Sequence, residues 1–265
     1  MLFWLRLNSV KFESCAYSDL NSFDAYIAAL SSPIDSYLED HILTSQFYRI
    51  VIAGQPCGHF AIHQNTLLTQ FHMLGAAQRF GQQAFAEAVR HHKIKAAYVP
   101  TCDEFFLSHA LDNYVELKKQ AYFFAEGHTE IQPIPTNLTY RLAELSDATA
   151  LRAISGDFLD KHEARIQNGE LYVGMRNDEL IAIGVIEHSK LLRQHASIGM
   201  FTHEQHRQQG IGEQTIRFMR GVCHAENLKP IAGCWYHNHA SKKTLEAAGM
   251  VTQTRLLRIE YASLS

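Results

Sequence analysis

Phe201-Thr202-His203-Glu204-Gln205-His206-Arg207-Gln208-Gln209-Gly210-Ile211-Gly212 is where an apolar strand gives way to a polar turn, and the turn to a helix that opens on glycines. The unpaired N–H groups and positive dipole end of a helix N-terminus bind anions such as pyrophosphate. Glycine lets a phosphate approach backbone nitrogens with no β-carbon in the way. Arg207 can add side-chain charge or brace the loop. The dinucleotide fingerprint needs Gly-x-Gly-x-x-Gly after a first strand and an acidic residue after the next, and this turn does not supply them. No Lys-Ser/Thr pair follows Gly212, so it is not a nucleoside triphosphate loop either.

Outward from this turn the second half has a readable order. Residues 138–145 alternate as a strand, and Ser146-Asp147 can cap a helix from 148 to about 165. The apolar runs 171–175 and 180–187 flank the polar turn Arg176-Asn177-Asp178-Glu179, a hairpin signal. Residues 196–202 form the strand that leads into the turn. Ile211, Thr215, Phe218, Met219 and Val222 make an amphipathic stripe on the helix after it. A short strand at 230–236, a helix at 241–248 stopped by Gly249, and a strand at 251–261 complete the half.

The first half repeats that order after two helical segments, 22–30 and 33–43. A hairpin at 47–62, a strand at 66–74, a helix at 79–92, a strand at 94–99, a helix at 104–114 and a strand at 116–125 follow. Hairpin, strand, helix, strand, helix and strand recur at a nearly constant offset, which reads as an internal duplication. Between the halves, residues 127–137 carry Pro133 and Pro135 and little apolar periodicity, so they read as a linker. Where the second half has its glycine turn, the first has Gln78-Arg79-Phe80-Gly81-Gln82-Gln83, with one glycine and a bulky Phe80. That sequence does not cradle a pyrophosphate. Thr101-Cys102-Asp103-Glu104 reads as a helix N-cap rather than a nucleophile, because no partnered histidine is evident from spacing.

The chain's 265 residues are long for one core and comfortable for two domains. A net charge of -3 lacks the basic surplus of a protein that wraps nucleic acid. Five scattered cysteines, none at finger or redox spacing, read as reduced thiols in a cytoplasmic protein. No stretch approaches a membrane-spanning length. Sixteen histidines invite a metal reading, but neither His91-His92 nor His237-Asn238-His239 has a third ligand at a converging spacing, so no metal is expected.

Arg207-x-x-Gly210-x-Gly212 resembles the [Gln/Arg]-x-x-Gly-x-[Gly/Ala] signature of the GNAT superfamily of N-acetyltransferases, and it sits between the strand and helix where that family places it. Asn238-x-x-Ser241, followed by Leu245 and Gly249-Met250, resembles the family's Asn-x-x-[Ala/Ser] helix. Cys234-Trp235-Tyr236-His237-Asn238 resembles a bacterial branch that carries an additional N-terminal domain. The resemblance covers residues 138–261 and implies an α/β (α+β) fold. It implies two GNAT-like domains, 1–126 (degenerate) and 138–265, each a mixed, mostly antiparallel sheet with flanking helices and a splayed parallel strand pair.

It further implies acetyl-CoA as co-substrate and a small-molecule primary amine as acceptor, with no nucleic-acid or membrane partner, in a monomer or homodimer. Pantetheine would bond to backbone around Phe201 and Thr202. The pyrophosphate would rest on the amides of Gln208, Gln209, Gly210, Ile211 and Gly212, beside Arg207, and Asn238 and Ser241 would lie against the pantetheine. Many family members use a tyrosine as acid for the leaving thiolate, but Leu245 stands at that position here. Tyr236 and His237 are substitutes by position, and Glu187 or His188, or a water held by them, could be the base. The rival reading is a catalytically impaired acyl-CoA-binding or regulatory module.

Overall fold

Aromatic and β-branched residues concentrate in runs that suit a pleated, half-buried surface, and the chain divides into two compact units. The computed structural model describes residues 10–20, 22–127 and 137–262. One unit comprises residues 1–121 with 254–265, the other residues 122–253. The linker read at 127–137 lies outside the described residues, apart from Gly127 and Asn137.

The first unit runs β1 (Lys11–Cys15), α1 (Phe23–Ala29), α2 (Ser36–Leu43), β2 (Gln46–Ile52), β3 (Gln55–His63), β4 (Leu67–Met73), α3 (Gly81–His91), β5 (Ala96–Pro100), α4 (Glu104–Ala110) and the first part of β6 (Tyr114–Glu126). Strands β1 to β4 pair antiparallel in sequence order. β4 and β5 are parallel, and their pairing covers only Leu67 with Ala96 and Leu68 with Ala97. Residues 256–260, at the end of the chain, lie antiparallel to β5, with Leu256 opposite Pro100 and Glu260 opposite Ala96. The chain's last strand thus takes a place inside the first unit's sheet, between β5 and the first part of β6.

The start of α3 is closely covered. A β-carbon on Gly81 would stand 2.4 Å from His109 Nε2 and 2.8 Å from Phe105 Cζ, so side chains of α4 cover the start of α3. The cap reading of residues 101–104 holds: Asp103 Oδ1 accepts from the Phe106 amide at 2.9 Å, and Cys102 is fully buried.

On the α1 side of this sheet lies a buried polar group. His59 and His72 face each other across β3 and β4, and Ser22 Oγ is 2.7 Å from His59 Nδ1. His59 Nε2, His72 Nε2 and Asp103 Oδ2 are buried without a hydrogen-bond partner among the described residues. Burial pushes the Asp103 carboxyl from its ordinary 3.8 up to about 7, against the pull of the Phe106 amide. Burial, with His72 alongside, lowers His59 to about 3.

These shifts have opposite signs in stability. The folded Asp103 keeps its proton to about 7 and the unfolded one only to 3.8, so its contribution is whole below 3.8 and is lost as pH rises through 7. His59 stays neutral when folded, so its contribution is lost as pH falls from 6.5 towards 3. Asp103→Asn removes the first effect and keeps the cap. Relative to wild type it is expected to gain on the order of 4 kcal/mol between about pH 4 and pH 8. Thermal melts of both proteins across that range measure it, and a pH-independent difference in Tm would contradict a neutral buried carboxyl.

The second unit holds the last part of β6, then β7 (Thr139–Leu142), α5 (Ala148–Ser155), α6 (His162–Gln167), β8 (Leu171–Arg176), β9 (Glu179–His188), β10 (His195–Thr202), α7 (Ile211–Ala225), β11 (Lys229–Trp235), α8 (His239–Ala247) and the start of β12 (Met250–Tyr261). Strands β7 to β10 pair antiparallel in sequence order, and β10 is parallel to β11. The single helix read at 148–165 is two. Gly156, at φ +51° and ψ −130°, ends α5 in a conformation that favours glycine, and a short 3-10 turn (Gly156–Phe158) leads towards α6. Leu151, Ile166, Leu171, Val173, Ile183 and Val185 pack under α5 and α6 on one face. Ile186, Ala196, Ile198, Ile216, Met219 and Leu245 pack under α7 and α8 on the other. The buried stripe of α7 is Ile211, Thr215, Ile216, Met219, Arg220 and Cys223, so Phe218 and Val222 are only half-buried and a fully buried arginine takes part.

Candidate functional site

The parallel pairing of β10 with β11 covers His195–Lys229, Ala196–Pro230 and Ser197–Ile231 and then stops. Both strands continue, β10 to Thr202 and β11 to Trp235, so the two arms part beyond Ser197 and Ile231. Unpaired carbonyls and amides on the facing edges of such arms are open to an extended ligand. At the end of the first arm comes the glycine turn.

Gln208 and Gly210 both have positive φ, +63° and +75°, and Gly210 is the N-cap of α7 with no side-chain cap bond. The first amides of α7 are therefore left for solvent or a ligand. The turn's two glycines serve different ends. At Gly210 an added β-carbon would meet nothing within 4 Å, so glycine is required there by φ, and the space above the turn is open. At Gly212 it would lie 3.0 Å from Thr244 Cγ2 and 3.2 Å from Met200 Sδ, so glycine lets α7 close on β10 and α8. Ile211 is buried and anchors the helix start; Gln208 and Gln209 are exposed.

Arg207 braces the turn. Its Nε donates to the Thr202 carbonyl at 3.2 Å, and its guanidinium lies 5.6 Å from the centre of the Phe201 ring. A second guanidinium, which sequence reading left as a hairpin residue, stands beside it. Arg176 Nη1 donates to Gln209 Oε1 at 3.2 Å, and its Nε is buried without a partner among the described residues. A separation of 33 positions between Arg176 and Gln209 gives no local signal of this contact. Two cations, of which Arg207 also lies 3.5 Å from Glu204 Oε1, and a set of uncapped amides give the turn chemistry suited to an anion.

Asn238 caps α8, its Oδ1 accepting from the Ser241 amide at 3.1 Å, and Ser241 is half-buried. Leu245 is in the core between α7 and α8. Tyr236 stacks on Tyr122, ring centres 4.7 Å apart, and exposed His237 stands edge-on to it at 5.3 Å.

Glu187 and His188 lie on opposite faces of β9 and do not act as a pair. Glu187 is opposite Ser197, the last β10 residue paired to β11, which places it at the closed end of the splay. Its Oε1 accepts from Arg165 Nη1 at 2.5 Å, and the same guanidinium reaches Glu170 Oε2 at 3.1 Å and Asp160 Oδ1 at 3.4 Å. His188 is on the α7 face, largely exposed, with Nε2 3.6 Å from Glu226 Oε2. Among the described residues no group of three or more His, Cys, Asp or Glu side chains could hold a metal ion, and no helix is long and apolar enough to cross a membrane.

Known proteins match this arrangement. The Acetyltransferase (GNAT) domain model matches residues 18–127, and the Acetyltransferase (GNAT) family model matches residues 139–250. No curated protein sequence matches the chain. Among solved structures, an acetyltransferase from the GNAT family of Colwellia psychrerythraea is similar with a TM-score of 0.87 at 18% identity, over 95% of this chain and 100% of that one. A GCN5-related N-acetyltransferase from Sphaerobacter thermophilus has a TM-score of 0.62 at 12% identity, over 96% and 98%. A tandem GNAT protein from the clavulanic acid biosynthesis pathway has a TM-score of 0.58 at 10% identity, over 97% and 99%. At these identities the likeness is one of fold. With a GNAT match in each half and a tandem GNAT structure among its likenesses, the chain belongs to the GNAT acetyltransferases and carries two GNAT domains in tandem.

Proposed function

We propose that the C-terminal unit is an acetyl-CoA-dependent N-acetyltransferase acting on a small primary amine in the cytoplasm. The N-terminal unit is then a degenerate copy with a structural role. The observation that carries this reading is the uncapped start of α7, with Gly210 open above it, at the mouth of the β10/β11 splay. The residues present suit the coenzyme: amides of Gln208 to Gly212 with Arg207 and Arg176 for the pyrophosphate, and the β10 edge around Phe201 and Thr202, where the Thr202 carbonyl also accepts from Arg207, for the pantetheine amides.

The amine nitrogen attacks the thioester carbonyl, the C–S bond breaks, the coenzyme leaves as thiolate, and the nitrogen gives up a proton. Holding both reactants in the splay supplies much of the rate. Arg165 holds the Glu187 carboxylate in place, and Glu187 acts through a water that it holds, which takes the amine proton and passes it on. Tyr236 and His237, just after β11, are our candidates to protonate the thiolate, since Leu245 cannot.

Buried Leu245 and the Arg165–Glu187 pair favour the second reading, an acyl-CoA-binding or regulatory module without turnover. Release of free thiol from acetyl-CoA that depends on an added primary amine separates the two. Glu187→Gln is expected to lower kcat by about 10²-fold and to leave the Kd for acetyl-CoA almost unchanged. An unaltered pH–rate profile in that variant would remove Glu187 from the proton path.

A further inference from the structure

Beyond the last paired residues, the arms of the splay carry matched side chains on the α5/α6 face. Counting on from Ser197 opposite Ile231, Gly199 is level with Gly233, and Phe201 with Trp235. Phe201 packs with the α5/α6 core, whereas Ala232 and Cys234 pack on the α7/α8 side, so strand alternation turns Gly233 and Trp235 towards the same face as Phe201. Neither glycine puts a side chain on that face. Only Val185 Cβ, at 3.8 Å, would come within 4 Å of a β-carbon on Gly199, and Gly233 is exposed although it sits mid-strand.

Above the glycine floor stands an aromatic rim. Trp235 is 59% exposed and Phe158 51% exposed, the two most exposed aromatic side chains among the described residues, and the Phe158 ring lies 5.2 Å from that of Phe201. Nothing in the fold of this unit requires an indole and a phenyl ring to face water here. Two residues of strand separate floor from rim, about 7 Å. At the closed end, the three carboxylates of Glu187, Glu170 and Asp160 face two cations, Arg165 on all three and Lys161 3.8 Å from Asp160, which leaves that end with one negative charge in excess.

Resting on the acetyltransferase reading of this unit, we propose that the acceptor is an arylalkylamine: a primary amine with a flat apolar ring a few atoms away. Its nitrogen reaches the thioester over Gly199 and Gly233 with its ammonium drawn to the acidic end, and its ring is held by Phe158, Phe201 and Trp235. Edge and face contacts between rings favour an aryl group over an alkyl chain of equal area. Phe158 and Trp235 select the acceptor and take no part in the chemistry.

The test compares 2-phenylethylamine, n-hexylamine and putrescine as acceptors, and measures direct calorimetric binding of 2-phenylethylamine. Expected is a kcat/KM about 10-fold higher for 2-phenylethylamine than for n-hexylamine, and lower still for putrescine. Trp235→Ala and Phe158→Ala, both exposed positions that leave the core intact, should each weaken 2-phenylethylamine binding and raise its KM by about 5- to 10-fold. The Kd for acetyl-CoA stays within about twofold. Equal or better use of putrescine, or 2-phenylethylamine binding that neither substitution alters, would overturn the proposal while the acetyltransferase reading stood. Absence of acetyl-CoA binding would instead sink that reading, whereas 2-phenylethylamine binding that depends on Trp235 would still support the aromatic slot.

Discussion

Gly210→Glu is expected to lower acetyl-CoA affinity at least 100-fold while the C-terminal unit stays folded. The backbone at Gly210 has φ +75°, where a residue with a β-carbon is strained by about 1–2 kcal/mol. That penalty is small beside the stability of a domain. An added side chain meets no atom within 4 Å, so it enters open space and disturbs no packing. What it changes is the site: a carboxylate would sit among the uncapped amides of α7 and pair with Arg207 or Arg176, in place of a coenzyme phosphate. A 100-fold loss corresponds to about 2.7 kcal/mol, within reach of like-charge repulsion together with the lost anion contacts. Gly210→Ala separates the causes, since it carries the strain without the charge and should lose about tenfold or less. Calorimetric titration of acetyl-CoA into the three proteins, with circular dichroism as the check on folding, decides the matter. Unchanged affinity in Gly210→Glu would mean that the turn does not hold the phosphates.

The turn was the most legible part of the chain, because its signal is local. Gly210 needs its φ, Ile211 and Met219 repeat at helical spacing, and the strand before the turn alternates. The same holds for the caps at Asp103 and Asn238, where one side chain bonds to an amide three residues on. Sequence reading failed where partners are distant. β1, whose alternation at Val10 and Phe12 is too short to announce a strand, exists because it pairs with β2. The last strand lies against β5 of the first unit, and no composition in residues 251–261 names that neighbour. The break at Gly156 was visible as a glycine, but a glycine inside a helical pattern is as often tolerated as not. At the site, alternation in β9 already implied that Glu187 and His188 face opposite ways; the Arg165 that occupies Glu187 could not be inferred. Arg176 and the aromatic rim were missed because each contact joins segments far apart in the chain.

Arg220→Met is expected to destabilise the C-terminal unit by about 3–4 kcal/mol, the largest stability effect of any single substitution proposed for it. Arg220 is 1% exposed, midway along α7. Its Nη2 and Nε donate to Glu126 Oε1 at 2.7 and 3.2 Å, and its Nη1 donates to the Ala248 carbonyl at 2.5 Å. It thereby joins α7 to the end of β6 and to the C-terminus of α8, both within this unit. The chain makes room for it with Gly249, at φ +85°, where a β-carbon would lie 2.6 Å from Arg220 Nη1. Methionine keeps the apolar stem but leaves the Ala248 carbonyl unpaired and Glu126 with His224 alone, 2.9 Å from its Oε2. Burial pushes the Glu126 carboxyl up, yet hydrogen bonds from Arg220 and His224 outweigh it and hold the group below its ordinary 4.5. A depressed carboxyl contributes stability that is present above about 4.5 and lost as pH falls through its lower folded value. Urea unfolding should therefore show a wild-type advantage at pH 7 that narrows towards pH 3. Arg220→Lys, a point charge unable to serve both partners, should fall between the two. Since α7 carries the glycine turn at its other end, a weakened clamp should also loosen acetyl-CoA binding in Arg220→Met. A variant as stable as wild type at pH 7 would mean that the buried guanidinium is replaceable by packing alone, as some buried ion pairs are.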